Sequence, residues 1–388
     1  MNANRKQEED YNGFEQGPIR PPSEAASLLI RITRNCPWNR CTFCPVYKGS
    51  DFSLRPVAHV LEDIDRVYHY VEAIKECGAK SGKIYSEDLI KFAQNDDFED
   101  RGALNAALQW ASNGMRSIFL QDANSLIIKP EHLITILQHL GDCFPWVERI
   151  TSYARSHTIA RISDDNLRVM ANAGLSRIHI GMESGADSVL GRVKKGVDKK
   201  THIKAGIKVK KAGMALSEYL MPGLGGRDLS EEHARESADA LNQIDPDFIR
   251  LRTLALPEHI ELFKEYSAGT FQKLSDVETA RELLLFLESL DGINSVVKSD
   301  HILNLFEDLE GKYPEDKEKM IGIVKAFLDL SPEDQMVYQV GRRIGVYRGL
   351  GDMKDVAKTE HVEATCKRLG IQPDNVNEAV DELMKRFI

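Results

Sequence analysis

The chain has 388 residues, of which 42% are hydrophobic and 29% charged, enough for one large domain with an appendage and for a buried core. The formal net charge of −9 argues against a general nucleic-acid binder. No run approaches the roughly 20 apolar residues of a membrane span, and the opening Met-Asn-Ala-Asn-Arg-Lys-Gln-Glu-Glu-Asp has no apolar centre of a signal peptide, so a cytoplasmic location is expected.

Residues 1–24 are polar, carry Arg20-Pro21-Pro22 and read as a tail or extended lead-in. Strands are expected at Leu28–Thr33, Ser117–Asp122, Arg149–Arg155, Arg177–Glu183, Ala215–Met221 and Phe248–Leu254, with helical segments between them. Leu133, Ile136, Leu137 and Leu140 follow helical spacing, as do Ala234, Ser237, Ala238 and Leu241. Gly174 and Gly213 fall just past helices, where a left-handed residue ends the last turn. Lys80–Asn113 shows no clear strand and reads as inserted helices. After about residue 260 the strands stop, and Glu278–Leu290, Asp316–Leu328, Glu333–Tyr347 and Val376–Phe387 look helical.

Alternating strands and helices imply an α/β fold with a parallel sheet. Six such units fall short of the eight that close a (β/α)8 barrel, so a partial TIM-like (β/α)6 barrel is expected over 25–260, with a mostly helical extension over 261–388.

Cys36, Cys41 and Cys44 lie within nine residues, directly after the first strand and so at the carboxyl end of the sheet, where sites in such barrels are built. A clustered set reads as metal binding rather than disulfides. Structural zinc takes four ligands, and no Cys or His with zinc spacing follows Cys44; the next histidine is His59. Three thiolates suit a [4Fe–4S] cluster, normally held by four, with one iron left open for an outside ligand. Cys77, Cys143 and Cys366 are scattered and expected to be packed thiols.

Strand residues alternate between faces. With Ile178, Ile180, Met182, Ile249 and Leu251 turned outward to the helices, Arg177, His179, Glu183, Arg250 and Arg252 turn inward, Tyr153 and Arg155 share a face, and Glu218 is expected inside as well. Charged groups there must be paired or bound to a ligand. Some are internal ion pairs; the excess of arginine suits a carboxylate or phosphate of a substrate or cofactor. Tyr153, His179, Arg250 and Arg252 are therefore substrate candidates, joined by His301 and Asn304 from the polar run Lys298–Asn304. Gly341-Arg342-Arg343 reads as a helix face.

The cysteine loop resembles that of the radical S-adenosylmethionine (SAM) superfamily, most closely the branch of oxygen-independent coproporphyrinogen oxidase and the elongator catalytic subunit. The superfamily usually spaces its cysteines by three residues and then two; here four separate Cys36 from Cys41 and two separate Cys41 from Cys44, while Phe43 matches. Asp122 and Asn124, in Gln121-Asp122-Ala123-Asn124-Ser125, stand where relatives carry a Gly-Gly-Glu-like segment for the SAM amino group. Glu183 of Gly181-Met182-Glu183-Ser184 matches a SAM contact, and Lys195 stands where relatives place an arginine for the SAM carboxylate. Gly223 and Leu224, in Met221-Pro222-Gly223-Leu224-Gly225-Gly226, resemble the segment beside adenosine, and Arg155 is a further SAM candidate.

The resemblance implies an enzyme that reductively cleaves SAM at the cluster to a 5′-deoxyadenosyl radical and abstracts hydrogen from a small, anionic substrate, fed by a donor such as flavodoxin or ferredoxin. Two alternatives stay open: a radical SAM enzyme that modifies RNA, and a non-catalytic iron–sulfur or haem-binding protein on the same fold.

Overall fold

The structure is a computed structural model and describes residues 10–79 and 99–385. The chain divides into two compact units, one drawn from 1–37, 49–178 and 211–214, the other from 38–48, 179–210 and 215–388.

In the first unit, β1 (Leu28–Arg31), β2 (Ser117–Gln121) and β3 (Arg149–Tyr153) run parallel, with Leu28 opposite Ile118 and Ile118 opposite Ile150. Every residue of β2 is buried, as a parallel strand covered on both faces requires. Helices α1 (Val57–Ala79), α2 (Arg101–Ser112), α3 (Pro130–Cys143) and α4 (Asp164–Asn172) surround these strands in sequence. Asp100 and Ser163 cap α2 and α4 by accepting from the N–H of Ala103 and Asn166. Leu133, Ile136, Leu137 and Leu140 form the buried stripe of α3, as their spacing predicts.

The lead-in is bound to this unit. Gln121 takes the Gly17 N–H at 2.9 Å and gives its amide to the Gly17 and Ile19 carbonyls. Glu15 pairs with Arg31, Arg34 and Arg55 at 2.6, 2.8 and 3.3 Å.

Strand β4 (Leu175–Glu183) begins in the first unit and ends in the second. There β5 (Ala215–Leu220), β6 (Phe248–Leu251) and β7 (Val296–Lys298) are parallel, and β8 (Gly311–Lys312) joins β7 antiparallel. The longer helices are α5 (Lys199–Lys211), α6 (Gly226–Ile244), α7 (Asp276–Ser289), α8 (Lys317–Leu328), α9 (Pro332–Arg343), α10 (Val356–Leu369) and α11 (Val376–Met384). Leu220, Ile249, Leu251 and Val297 share one core with Ala234, Ala238 and Leu241 of α6, Leu283 and Phe286 of α7, and Phe327 of α8. Each such leucine or phenylalanine contributes about 1.5–3 kcal/mol by leaving water. The helices beyond residue 260 are thus part of the core that covers β5 to β7.

The α/β class and all six expected strands are present, and Gly174 and Gly213 take φ of 109° and 83°. The sequence reading missed β7, β8 and α10. With three and two residues, β7 and β8 are too short to show a period. Of the expected insertion Lys80–Asn113, residues 80–98 lie outside the described residues, and the remainder contains α2.

Candidate functional site

The base of the cysteine loop is closed in the first unit. Thr33 and Arg34 pair antiparallel with Leu54 and Ser53. Asn35 takes φ of 66°, a left-handed conformation asparagine tolerates, and its N–H donates to Asp122 Oδ2 at 3.2 Å. The same oxygen accepts from Arg31 Nη2 at 2.9 Å. Asp122, fully buried, therefore positions the residue before half-exposed Cys36. Asn124 accepts the Arg155 N–H at 3.0 Å and donates to Thr158 Oγ1 at 2.9 Å, fixing the turn after β3. Tyr153 packs edge-on against Phe119, with ring centroids 5.4 Å apart.

The remainder of the loop, Trp38–Lys48, belongs to the second unit. The Trp38 indole N–H donates to the Lys194 carbonyl at 2.7 Å, and the Thr42 N–H to the Val193 carbonyl at 3.0 Å. The Thr42 carbonyl takes the Leu262 N–H at 3.0 Å. Cys41 and Cys44 pack against an apolar cluster of Phe43, Val189, Val193, Leu224, Leu254 and Phe271. Soft thiols on one loop in an apolar setting fit an iron–sulfur cluster, whose potential depends on such surroundings.

Beside Phe43 stands the strand-end acid. Lys195 Nζ lies 3.1 Å from Glu183 Oε1, each side chain 13% exposed, and 5.6 Å from the Phe43 ring centre. Glu183 takes φ of 64°, a left-handed strain of order 1–3 kcal/mol for a non-glycine residue. Gly181 makes room for the pair, because a Cβ there would lie 2.3 Å from Glu183 Oε1. Gly223, at φ 86°, donates its N–H to Glu282 Oε1 at 2.7 Å, and Glu282 also takes the Ser230 hydroxyl. His233 ties Ser184 to the Met221 carbonyl, at 2.8 and 3.0 Å. Trp38, Gly181, His233 and Glu282 hold these segments in place; Trp38, His233 and Glu282 escaped the sequence reading because their partners are distant in the chain.

Register corrects one expectation. Arg250 stands opposite Tyr219, so Glu218 shares its face with Ile249 instead. Glu218 is fully buried, and neither carboxyl oxygen has a hydrogen-bond partner among the described residues. Burial, then the Glu183 charge, push its carboxyl well above the usual range, against a smaller pull from Lys195.

The Tyr219 face carries the cations. The Arg252 guanidinium lies 4.5 Å from the Tyr219 ring centre, and His179 packs edge-on to that ring at 5.5 Å. Arg250 donates to Ser217 Oγ at 3.2 Å and pairs with Asp300, the internal ion pair foreseen for part of this set. His301 has its Nδ1 buried without a partner among the described residues. Burial, then the Arg252 charge, lower its pKa to about 4 against Asp300, so the ring is neutral at pH 7.

Asn304, a substrate candidate by sequence, is hydrogen-bonded within the protein. Its Oδ1 accepts from the Thr253 N–H and hydroxyl at 2.9 and 3.0 Å, and its amide donates to the Leu251 carbonyl and Ser299 Oγ at 2.9 and 3.0 Å. All four hydrogen-bonding positions of the amide are used. Arg342 and Arg343 lie on helix α9, as expected, and both are buried, donating to the carbonyls of Leu303, Asn304 and Leu305 and to Asp276.

No family model matches the chain. It is 22% identical over 293 residues to the tRNA uridine(34) acetyltransferase of Methanocaldococcus jannaschii, covering 70% of this chain and 50% of that protein. It is 25% identical over 298 residues to the enzyme of the same name from Methanocaldococcus infernus, covering 70% and 51%. The chain thus spans about half the length of the curated relatives it matches. Among solved structures, coproporphyrinogen III oxidase from Escherichia coli, a radical SAM enzyme, aligns with a TM-score of 0.44 and 11% identity over 81% of this chain and 74% of that one. By sequence the chain is thus similar in part to enzymes named for tRNA uridine(34).

Proposed function

We propose that the chain is a radical SAM enzyme that modifies RNA. The observation that carries this reading is the sequence similarity along 70% of the chain to enzymes named for tRNA uridine(34). Net charge pointed the other way, but it averages the whole surface. Helix α5 alone holds six lysines in thirteen residues, and among them Lys200, Lys204 and Lys211 are exposed. A local basic stripe of this kind serves phosphate contacts even on an acidic chain.

In this reading Cys36, Cys41 and Cys44 would hold a [4Fe–4S] cluster, which with bound SAM would supply one-electron reductive cleavage and hydrogen abstraction. The residues of the chain orient and shield. Lys195 offers its charge to the SAM carboxylate and Glu183 accepts from the amino group or ribose. Asp122 and Asn124 shape the strand ends from the first unit, with Arg155. Phe43 and Leu224 exclude water beside the thiols. Arg252 and Arg250 offer positive charge to a phosphate or carboxylate, and neutral His301 adds a hydrogen bond without a charge.

A second reading, a small anionic substrate, is favoured by the same arginines, which serve a free carboxylate as well as a nucleotide. The test is anaerobic reconstitution with iron and sulfide, then dithionite and SAM, with and without tRNA. RNA-dependent release of 5′-deoxyadenosine, and RNA binding that weakens with salt, support RNA modification. Release stimulated only by small anions supports the second reading. Loss of turnover with retained cluster in Arg252→Met supports a substrate role for that residue. A purified protein that carries zinc in the loop, or a cluster whose spectrum ignores SAM, overturns both.

A further inference from the structure

Three donor atoms of different chemistry converge on the surface of the first unit. Asp65 comes from α1; His139 and Cys143 lie one turn apart on α3. His139 Nε2 is 2.7 Å from Asp65 Oδ1 and 3.8 Å from Cys143 Sγ, and the three atoms lie within 4.8 Å of one another. Asp65 is exposed, while His139 and Cys143 are half-buried, so solvent reaches the point between them.

A catalytic relay would use the two ring nitrogens in series, one toward the carboxylate and one toward the thiol. Here both neighbours meet the same nitrogen, so the group cannot pass a proton from thiol to acid through the ring. Burial, then the charges of Asp65 and Asp142, also push the Cys143 thiol up to about 11, against the thiolate a nucleophile needs. Convergence of three different donors on one point is what a metal requires. Zinc bonds of about 2.0–2.3 Å in a tetrahedron set neighbouring ligands roughly 3.3–3.8 Å apart, close to the present spacing after a small turn of the imidazole.

We propose that Asp65, His139 and Cys143 form a zinc site that clamps α1 to α3, with water as the fourth ligand on the exposed side. One sulfur, one imidazole nitrogen and one carboxylate oxygen suit zinc over magnesium or calcium, which take oxygen ligands. Binding replaces the thiol proton, which leaves to solvent. The site is separate from Cys36, Cys41 and Cys44 and independent of the proposed reaction.

The test uses the full chain with Cys36, Cys41 and Cys44 replaced by alanine, so that only the helical site can respond. Anaerobic titration with cobalt(II), a spectroscopic stand-in for zinc, should give one equivalent of thiolate-to-cobalt absorption in the near ultraviolet, displaced by zinc. Cys143→Ser should abolish that absorption, and His139→Ala and Asp65→Asn should weaken binding by roughly tenfold or more. The holoprotein with its loop intact gives a second readout: zinc should raise its Tm, and Cys143→Ser should remove the increase. Absence of thiolate absorption in the parent, its persistence in Cys143→Ser, or a zinc-dependent Tm shift that survives Cys143→Ser would each overturn the proposal.

Discussion

Gly196 lies against the indole of Trp38 so closely that a Cβ at residue 196 would stand 2.2 Å from the ring. Its φ of 71° is also one that L side chains rarely adopt. The contact joins the second part of the cysteine loop to the turn that carries Lys195, with the Trp38 N–H bond to Lys194 beside it. Gly196→Ala should therefore displace Trp38, lower stability by about 1–3 kcal/mol and reduce iron incorporation. Urea unfolding and iron content after reconstitution check this; a variant with full iron and unchanged stability would mean that the contact does not fix the loop.

Lys195 and Glu183 neutralise one another in a mostly buried setting. Removing one partner leaves the other's charge poorly solvated. Lys195→Met should weaken SAM binding roughly tenfold, about 1.4 kcal/mol, while Lys195→Arg retains most of it. Equilibrium dialysis of SAM against the reconstituted protein distinguishes the two.

Glu15 fastens the lead-in to three arginines. Burial raises its pKa, but bonding to Arg34 and the charges of Arg55, Arg34 and Arg31 outweigh this and lower it overall. A carboxylate with a depressed folded pKa stabilises above its unfolded pKa of 4.5, and that contribution is lost as pH falls through the folded value. Glu15→Gln should cost about 1–3 kcal/mol at pH 7. The gap between variant and parent should close on acidification, as read from denaturant midpoints at each pH.

His301 runs the other way in charge but has the same sign in stability. Its folded pKa of about 4 lies below the unfolded 6.5, so the unfolded chain binds a proton between these values that the folded chain refuses. The contribution is complete above pH 6.5 and declines as pH falls toward 4, by up to about 3 kcal/mol. His301→Gln should lack that slope. Equal slopes for both proteins in chemical denaturation would show that the ring titrates normally.

Asn304 braces the end of β6. Asn304→Leu leaves the Thr253 N–H without its acceptor and should cost about 2–3 kcal/mol with SAM binding unchanged. Loss of turnover without loss of stability would instead return Asn304 to the substrate.

The sequence alone determined six of the strands and the cysteine loop. Ile178, Ile180 and Met182 alternate with polar residues, Leu133, Ile136, Leu137 and Leu140 follow helical spacing, and three cysteines fall within nine residues; each of these is a local pattern whose physical meaning is fixed by bond geometry. Tertiary structure alone decided which partners each polar residue meets. Asn304 and Arg252 look alike as polar residues near strand ends, yet one amide is consumed by four bonds within the protein while the other side chain lies over a tyrosine ring. Glu218 was expected on the inward face, yet the register between β5 and β6 sets it opposite Ile249. Hydrogen-bond satisfaction and cross-strand register join residues far apart in the chain, and no local pattern records them.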